Sequence, residues 1–313
     1  MFDHETLEVF FDGKFMPFKN ANVSIANTGL LYGLGVFTGM RAFKNEQGTH
    51  LNIFRPEAHY KRMLNSCKLL RYDDFKKNFS EKKFTDTIKD LLLKNSIKED
   101  AYIRITNFSF ENKITPKLSG YRENLSMFLY PLGDYVPTTG MKCCVSSWTR
   151  VKDSSIPARA KITGLYVNTA LAKAEALNNG YDEALFQNHN GNIVEGSAEN
   201  IFIVRDGLLI TPPPSDEILE GITRQSIMEI AKDKGIDVVE RSIARSELVF
   251  ADEVFLTGTG AKVSPVIEID KYLVGDGSVG PISKLMQETY LNAARGLDSN
   301  YKHWVEAVEV KNA

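Results

Sequence analysis

Four short strand-forming segments follow one another closely in the second half of the chain, and they restrict the fold more than any other feature. The segments are DEALFQ (182–187), NIVEG (192–196), NIFIV (200–204) and LLITP (208–212). A polar turn at 188–191 separates the first two, and Asp206-Gly207, a preferred pair in tight hairpin turns, separates the last two. Short apolar segments with turn residues between them predict a meander of antiparallel strands.

The first half of the chain mixes strand and helix patterns. Asp12-Gly13 separates two apolar segments and predicts a hairpin over residues 7–18. The other predicted elements are helices at 56–71 and 81–95, strands at 101–110 and 125–132, and a polar loop at 111–124. This mixture predicts an α/β (α+β) fold for the first domain.

A domain boundary is predicted at residues 131–140. The segment PLGDYVPTTG carries two prolines and two glycines, a composition typical of a linker. A length of 313 residues also favours about two domains. We therefore predict a small N-terminal domain at 1–130 and a larger, strand-rich C-terminal domain at 141–313. Further elements expected in the larger domain are a strand at 141–148 and helices at 165–179, from Thr223 to before Gly235, and at 281–296.

The composition argues against several classes of protein. A net charge of −2 argues against binding to nucleic acid. The chain has no segment of about 18 apolar residues, the length that would predict a membrane span. The three cysteines and five histidines lack metal-ligand spacing, so the thiols are interpreted as reduced and no metal is expected. The N-terminus lacks the basic and apolar segments of a signal peptide. We therefore expect a cytoplasmic protein.

Lys161 is a candidate nucleophile. It lies among small and apolar residues in IPARAKITGLY (156–166), just before a helical pattern. Burial lowers the pKa of a lysine amine and makes the free amine available for bond formation. Most lysines are solvated surface residues, so this position alone leaves both interpretations open. Tyr166, five residues further on, is expected to reach the same pocket.

Three other segments could line a pocket, the first through a carboxylate and the other two as anion-binding turns. Glu195 ends a predicted strand beside a glycine, although a glutamate in such a turn is more often solvated. Gly221, Ile222 and Thr223 lie where a loop enters a helix, and a helix N-terminus binds phosphate readily. The segment LTGTGAK (256–262) predicts a glycine-rich turn whose backbone N–H groups can form an anion-binding nest. Each segment alone also fits an ordinary turn or helix start.

Arginines in three segments add candidate carboxylate or phosphate ligands. Arg41 follows a glycine-rich segment, Arg62 lies on a predicted helix, and Arg104 alternates with Tyr102 on one face of a predicted strand. Singly, such arginines usually form surface ion pairs. Taken with the lysine, the carboxylate and the phosphate-binding turns, they supply what a pyridoxal phosphate enzyme needs.

In the order and spacing of eight segments, the chain resembles the fold-type IV pyridoxal-phosphate-dependent aminotransferases, most closely the bacterial branched-chain amino acid aminotransferases. The segments are YGLGVFTGMR (32–41), AYIR (101–104), VSSWTR (145–150), IPARAK (156–161), GYDEALF (180–186), VEGSAEN (194–200), EGITR (220–224) and ADEVFLTGT (251–259). The resemblance implies a small N-terminal α/β domain and a larger C-terminal pseudobarrel. It also implies transamination of leucine, isoleucine and valine with 2-oxoglutarate, by a homodimer that binds amino acids and 2-oxo acids.

The resemblance also implies roles for individual residues. Lys161 matches the lysine that holds the cofactor as a Schiff base and moves the proton, Glu195 the carboxylate that pairs with the pyridine nitrogen, and Tyr166 the tyrosine that contacts the phenolic oxygen. The remaining cofactor-binding positions are Arg62, Gly221, Ile222, Thr223 and Thr259. The substrate-binding positions are Tyr32, Phe37, Gly39, Arg41, Tyr102, Arg104, Tyr135, Thr259 and Gly260. In the family, the segment around Tyr32 reaches the site of the other subunit.

Two features depart from the family pattern. Thr38 stands where family members usually have glutamate, and the segment after Arg104 lacks the usual glycine-rich stretch. Since that loop helps to define the substrate pocket, the departure concerns the substrate more than the cofactor. The alternatives within the fold are a D-amino acid aminotransferase, an (R)-amine transaminase and an aminodeoxychorismate lyase. A non-catalytic pyridoxal phosphate carrier is a more distant alternative.

Overall fold

The computed structural model describes residues 6–133, 137 and 139–310. The chain divides into two compact units. Unit 1 consists of Met1–Gly133, Ala160–Gly164 and Ala293–Ala313, and unit 2 consists of Asp134–Arg159 and Leu165–Asn292. The domains at 1–130 and 141–313 and the linker at 131–140 stay predictions. Residues 134–136 and 138, which include Tyr135, lie outside the described residues.

The described strands and helices confirm every element that the sequence predicted, with ends that differ by at most about two residues. The strands are, in chain order, β1 (Glu8–Phe11), β2 (Lys14–Pro17), β3 (Gly35–Lys44), β4 (His50–Phe54), β5 (Ala101–Ser109), β6 (Glu123–Pro131), β7 (Met141–Thr149), β8 (Glu183–Gln187), β9 (Asn192–Gly196), β10 (Asn200–Arg205), β11 (Leu208–Thr211), β12 (Val238–Glu240), β13 (Ile243–Ala244), β14 (Glu253–Gly258), β15 (Lys262–Ile269), β16 (Tyr272–Leu273) and β17 (Val305–Glu309). The α-helices are α1 (Thr28–Tyr32), α2 (Pro56–Leu69), α3 (Asp74–Asn78), α4 (Glu81–Lys94), α5 (Tyr166–Asn178), α6 (Ile222–Asp233) and α7 (Pro281–Ala294).

Unit 1 contains a seven-stranded sheet in the order β17-β4-β3-β5-β6-β1-β2, and its neighbouring strands are antiparallel. Strand β5 alternates buried and half-buried residues, which is the pattern that made it recognisable in the sequence. Strand β3 was not predicted, because nine of its ten residues are buried and no alternation of polar and apolar residues shows. Strands β3 and β5 are central neighbours, and Gly39 pairs with Arg104 across them.

Unit 2 contains a ten-stranded sheet in which an extra pairing closes a ring. Nine strands follow the order β12-β11-β10-β14-β15-β7-β8-β9-β13, and the tenth, β16, pairs with β15. Strand β9 also pairs with β10 through Glu195 and Asn200. The ring is therefore formed by β10, β14, β15, β7, β8 and β9. Buried aliphatic residues such as Leu185, Ile203 and Leu256 belong to one apolar cluster of this unit. This closed arrangement confirms the expected strand-rich pseudobarrel.

Two further findings concern membrane spans and thiols. None of the helices in the described ranges is long and apolar enough to cross a membrane. The three cysteines, Cys67, Cys143 and Cys144, are buried and free. The cytoplasmic location stays a prediction.

Candidate active site

The backbone of Lys161 is hydrogen-bonded on one side to strand β3 and on the other to helix α2, both in unit 1. The N–H group of Phe37 donates to the carbonyl of Lys161 over 2.9 Å, and the Lys161 N–H group donates to Oγ of Ser66 over 3.2 Å. Val36 and Ile162 form an antiparallel bridge beside these bonds. The Lys161 side chain is half-buried, and its Nζ lies 4.9 Å from the centroid of the Phe37 ring. The predicted nucleophile is thus held against an aromatic surface.

The same phenyl ring contacts the guanidinium of Arg104. Cζ of Arg104 lies 3.6 Å from the Phe37 centroid, and Nη1 of Arg104 donates to the Tyr102 hydroxyl over 3.2 Å. Tyr102 and Arg104 therefore share one face of β5, as the sequence predicted. Gly39 makes room for this arrangement, because a Cβ atom there would lie only 2.1 Å from the Tyr102 hydroxyl oxygen. The result is a surface with an apolar ring, a hydroxyl and a cation.

Arg41 is buried and binds backbone. Its side chain is 1% exposed, and Nη2 donates to the carbonyl of Gly133 over 2.9 Å and to that of Leu132. Its Cζ also lies 5.5 Å from the Phe43 ring centroid. At least part of this guanidinium is therefore bound to the end of the β6 segment, and a direct role in substrate binding stays a prediction.

Arg62 on α2 belongs to a polar cluster with Thr38 and His59. Nη2 of Arg62 donates to Oγ1 of Thr38 over 3.2 Å, and the same oxygen lies 2.8 Å from Nδ1 of His59. Thr38 and His59 are both buried. Burial, followed by the positive charges of Arg62, Lys161 and Arg55, holds the pKa of His59 well below its usual value. The imidazole is therefore neutral at physiological pH.

Two predicted tyrosines lie at helix ends. Tyr32 is the last residue of α1 and is 37% exposed, and Tyr166 is the first residue of α5 and is half-buried. Tyr135 lies outside the described residues. The roles predicted for all three stay predictions.

Glu195 in unit 2 is a buried carboxylate with a partner at each oxygen rather than a solvated one. Its Oε1 lies 2.7 Å from Nη2 of Arg150, and both side chains are 6% exposed. Its Oε2 accepts hydrogen bonds from the Leu219 N–H group at 3.1 Å and from Nδ2 of Asn200 at 3.4 Å. A cation and two further donors stabilise the ionised form.

Arg150, the ion-pair partner of Glu195, was not among the site residues that the sequence predicted. It follows β7, and its Cζ lies 5.5 Å from the ring centroid of Phe186. The signal was indirect: a carboxylate among apolar strand residues needs a cation if it is buried, and VSSWTR places Arg150 at the end of a strand of the same predicted domain.

The N-terminus of α6 has no side-chain cap among the described residues. The first N–H groups of this helix, including those of Ile222 and Thr223, thus lie where an anion is stabilised by the helix dipole. A Cβ at Gly221 would lie 2.0 Å from Oδ1 of Asn200, so only glycine fits here. Asn200 in turn donates to the Leu219 carbonyl over 2.9 Å. The glycine therefore places the helix start beside the amide that also binds Glu195.

A tight connection between β14 and β15 carries the other predicted anion-binding turn. Gly258 pairs with Lys262 across these strands, and Thr259 and Gly260 are half-buried at the turn between them. Thr257, just before the turn, is 1% exposed, and its hydroxyl has no hydrogen-bond partner among the described residues. A buried hydroxyl without a partner is unfavourable unless a ligand or water satisfies it.

The comparison with protein families agrees with this geometry. The model of amino-transferase class IV matches residues 35–269. The chain belongs to this family. The match confirms the resemblance seen in the sequence, and this class IV chain is an aminotransferase. Fold-type IV aminotransferases use pyridoxal 5'-phosphate.

Individual relatives of this class IV aminotransferase cover almost the whole chain. A probable branched-chain-amino-acid aminotransferase of Aquifex aeolicus is 46% identical over 301 residues, which is 96% of each chain. The crystal structure of a branched-chain aminotransferase from Thermoproteus uzoniensis with norvaline matches with a TM-score of 0.92 and 38% identity, covering 96% of this chain and 99% of that one. A T.th. branched-chain amino acid aminotransferase complexed with N-(5'-phosphopyridoxyl)-L-glutamate matches with a TM-score of 0.90 and 35% identity, covering 97% of this chain and 99% of that one.

The chemistry of the described residues fits pyridoxal 5'-phosphate, the cofactor of fold-type IV aminotransferases. The uncapped start of α6 and the buried Thr257 hydroxyl suit a phosphate group. The ionised Glu195, which already has Arg150 as a counter-ion, suits a protonated ring nitrogen. The half-buried amine of Lys161 suits bond formation with an aldehyde.

Proposed function

We propose that this chain transaminates branched-chain L-amino acids, namely leucine, isoleucine and valine, with 2-oxoglutarate as the amino-group acceptor. The products are the branched 2-oxo acid and L-glutamate. The observation that carries this proposal is the Arg104–Phe37 contact of 3.6 Å. One surface then offers both an aromatic ring for an aliphatic side chain and a cation for the second carboxylate of glutamate. A substrate pair of unlike polarity needs both.

The names of the relatives support the same substrate pair. The Aquifex aeolicus and Thermoproteus uzoniensis proteins are both described as branched-chain aminotransferases, and norvaline in the latter is an aliphatic amino acid. The T.th. protein is complexed with a phosphopyridoxyl derivative of L-glutamate. The combination of an aliphatic and an acidic partner among relatives that cover nearly all of this chain is what the proposal transfers.

The proposed cofactor ligands divide by chemistry. Arg62 and the N-terminal residues of α6, Ile222 and Thr223, bind the phosphate together with Thr259. Glu195 pairs with the ring nitrogen, and Gly221 lets the backbone at the start of α6 approach the phosphate closely. Tyr166 contacts the phenolic oxygen. These assignments rest on the match of sequence segments and on the burial and hydrogen bonds described above.

The proposed chemistry needs one proton to be moved. Pyridoxal 5'-phosphate, when bound, supplies an electron-withdrawing ring that stabilises negative charge at the substrate's Cα. The amine of Lys161 removes the Cα proton and later returns it at the C4′ carbon of the cofactor, acting first as a base and then as an acid. Glu195, kept ionised by Arg150, maintains the positive charge on the ring nitrogen.

The remaining residues orient the substrate. We propose that the backbone N–H groups of Thr259 and Gly260 bind the α-carboxylate. The side-chain carboxylate of glutamate or 2-oxoglutarate binds Arg104. Phe37 and Tyr102 contact aliphatic side chains, and the further positions proposed to line the pocket are Tyr32, Gly39, Arg41 and Tyr135. Orientation of this kind contributes to catalysis by holding the reacting atoms in position.

The test is a substrate panel on purified holoenzyme. L- and D-leucine, L- and D-valine, L- and D-alanine and 1-phenylethylamine are each supplied with 2-oxoglutarate, and glutamate formation is measured. We expect L-leucine and L-valine to be used in preference to their D-enantiomers. Preference for the D-enantiomers, or use of 1-phenylethylamine, would instead assign one of the other fold-type IV activities.

We also propose that the chain functions as a homodimer. The segment before and within α1 exposes large apolar side chains, with Val23 42%, Ile25 88%, Leu30 60% and Leu31 46% exposed. Several large apolar side chains exposed within one short segment are typical of an interaction surface. Light scattering on size-exclusion fractions tests this, with Ile25→Asp expected to favour the monomer and Leu177→Asp, at an exposed site on α5 in unit 2, as the matched control.

A further inference from the structure

The hydroxyl group of Thr38 lies between a neutral ring and a cation. It is 2.8 Å from Nδ1 of His59 and accepts a hydrogen bond of 3.2 Å from Nη2 of Arg62. Thr38 is fully buried on β3, and His59 is 1% exposed on α2. Thr38 and His59 are therefore both held by packed secondary structure.

The chemistry of the groups fixes the direction of one of these hydrogen bonds. An arginine guanidinium only donates, so the Thr38 oxygen is the acceptor toward Arg62. The hydroxyl also shares a hydrogen bond with Nδ1 of His59, and the tautomer of the neutral imidazole decides which of the two groups donates. In either tautomer, the bond to His59 holds the Thr38 oxygen beside Arg62.

We propose that Thr38 is a positioning residue that acts through Arg62, orienting its guanidinium toward the cofactor phosphate without adding negative charge. This inference rests on the proposed role of Arg62 in phosphate binding. The side chain that Arg62 contacts at position 38 is an uncharged hydroxyl. A carboxylate would form an ion pair with the guanidinium and repel a phosphate group nearby.

The experiment compares two ligands on the full-length chain freed of cofactor. Pyridoxal 5'-phosphate and pyridoxal differ only in the phosphate. The dissociation constant of pyridoxal divided by that of pyridoxal 5'-phosphate, here called the ligand ratio, therefore isolates phosphate binding, and it falls when phosphate binding is weakened. We expect Thr38→Ala to weaken the binding of pyridoxal 5'-phosphate by about 10-fold, as for loss of a hydrogen bond to a charged group, and to leave the binding of pyridoxal unchanged. Thr38→Glu should weaken the binding of pyridoxal 5'-phosphate further. An unchanged ratio in Thr38→Ala would overturn the proposal.

The matched control is Thr38→Ser. Serine and alanine both lack the threonine methyl group, so they share any loss of packing on β3 and differ in the hydroxyl alone. We expect Thr38→Ser to keep the ligand ratio of the unmodified chain within about 2-fold. If Thr38→Ser loses the ratio as fully as Thr38→Ala, packing rather than the hydrogen bond is responsible, and the proposal is wrong.

A double-mutant cycle with Arg62→Ala separates this inference from the proposed function. If Arg62→Ala leaves the ligand ratio unchanged, Arg62 does not bind the phosphate and that part of the proposed function fails. If Arg62→Ala lowers the ratio and Thr38→Ala lowers it equally in both backgrounds, Thr38 does not act through Arg62. The proposal requires that Thr38→Ala has no further effect once Arg62 is removed.

Discussion

The guanidinium of Arg150 and the carboxylate of Glu195 form a buried ion pair in unit 2, with Nη2 and Oε1 2.7 Å apart and both side chains 6% exposed. Removing either partner leaves an uncompensated charge in an apolar environment. The pair is therefore both a requirement for stability and the means by which Glu195 stays ionised.

Arg150→Met is expected to lower the free energy of unfolding by about 3 kcal/mol or more, because Glu195 is left buried without its cation. Urea denaturation of the full-length chain measures this. Lys142→Met is the control: its ion pair with Glu268 involves a lysine that is 50% exposed, and its loss should change stability by less than about 1 kcal/mol. Equal effects in the two variants would contradict the prediction.

Glu195→Gln should retain bound cofactor and lose most of its turnover, about 100-fold or more, because an amide cannot keep a ring nitrogen protonated. Steady-state rates with L-leucine and the visible absorbance of the holoenzyme are the measurements. Glu268→Gln serves as the control, since this carboxylate contacts only Lys142 and Lys271 in the ion pairs described for it. A wild-type rate in Glu195→Gln would remove the ring-nitrogen role.

Lys161→Ala is expected to abolish covalent attachment of the cofactor. Treatment of the wild-type holoenzyme with borohydride should fix a phosphopyridoxyl group on the chain, which intact mass spectrometry detects, and the variant should show no added mass. Lys152→Ala, in the same connection after β7, is the control and should be labelled normally. Labelling of the Lys161→Ala chain would assign the attachment to another lysine.

Arg104→Ala is predicted to reduce kcat/KM for 2-oxoglutarate by about 10-fold or more, because a charge-assisted contact to its second carboxylate is lost. The apolar acceptor 2-oxoisocaproate should be affected far less. Arg122→Ala offers a matched control, since Arg122 also lies over an aromatic ring, Phe110, at 4.5 Å, but pairs with the exposed turn at Asp12. Equal losses for both acceptors would exclude Arg104 as the carboxylate ligand.

His59 should make the stability of the protein depend on pH. Its pKa in the folded chain is well below 6.5, because of burial first and then the charges of Arg62, Lys161 and Arg55. The unfolded chain therefore binds one more proton below about pH 6.5, and stability is lost as the pH falls, by up to about 1.4 kcal/mol per pH unit. Unfolding measured at several pH values on the wild type and on His59→Gln should show a shallower decline in the variant. The same slope in both proteins would show that other groups cause the decline.

The sequence predicted most elements of the fold, because many of them carry local signals. The Asp206-Gly207 turn is one example, because the residue pair itself indicates a tight turn. Strand β5 is another, because its residues alternate between buried and half-buried positions. Strand β3 carried no such signal, because both of its faces are buried and two of its residues, Gly35 and Gly39, are uncommon in strands.

The candidate site could be predicted only in part. The segments around Lys161 and Glu195 matched a family in order and spacing, so those residues were found. Arg150 was missed as the partner of Glu195, since the two are 45 positions apart in the sequence and only strand pairing within unit 2 brings them together. The binding of Arg41 to backbone carbonyls was likewise unpredictable, because such contacts leave no residue pattern.

The seam between β9 and β10 has a consequence for how such an enzyme can be altered. Glu195 and Asn200 are the residues that pair across it, so the acidic group sits at the point where the ring of strands joins itself. Adding or deleting a single residue in either strand would turn every following side chain to the opposite face and break the closure. The connection between β5 and β6 belongs to the other sheet, so changes in its length leave the closure of this ring intact.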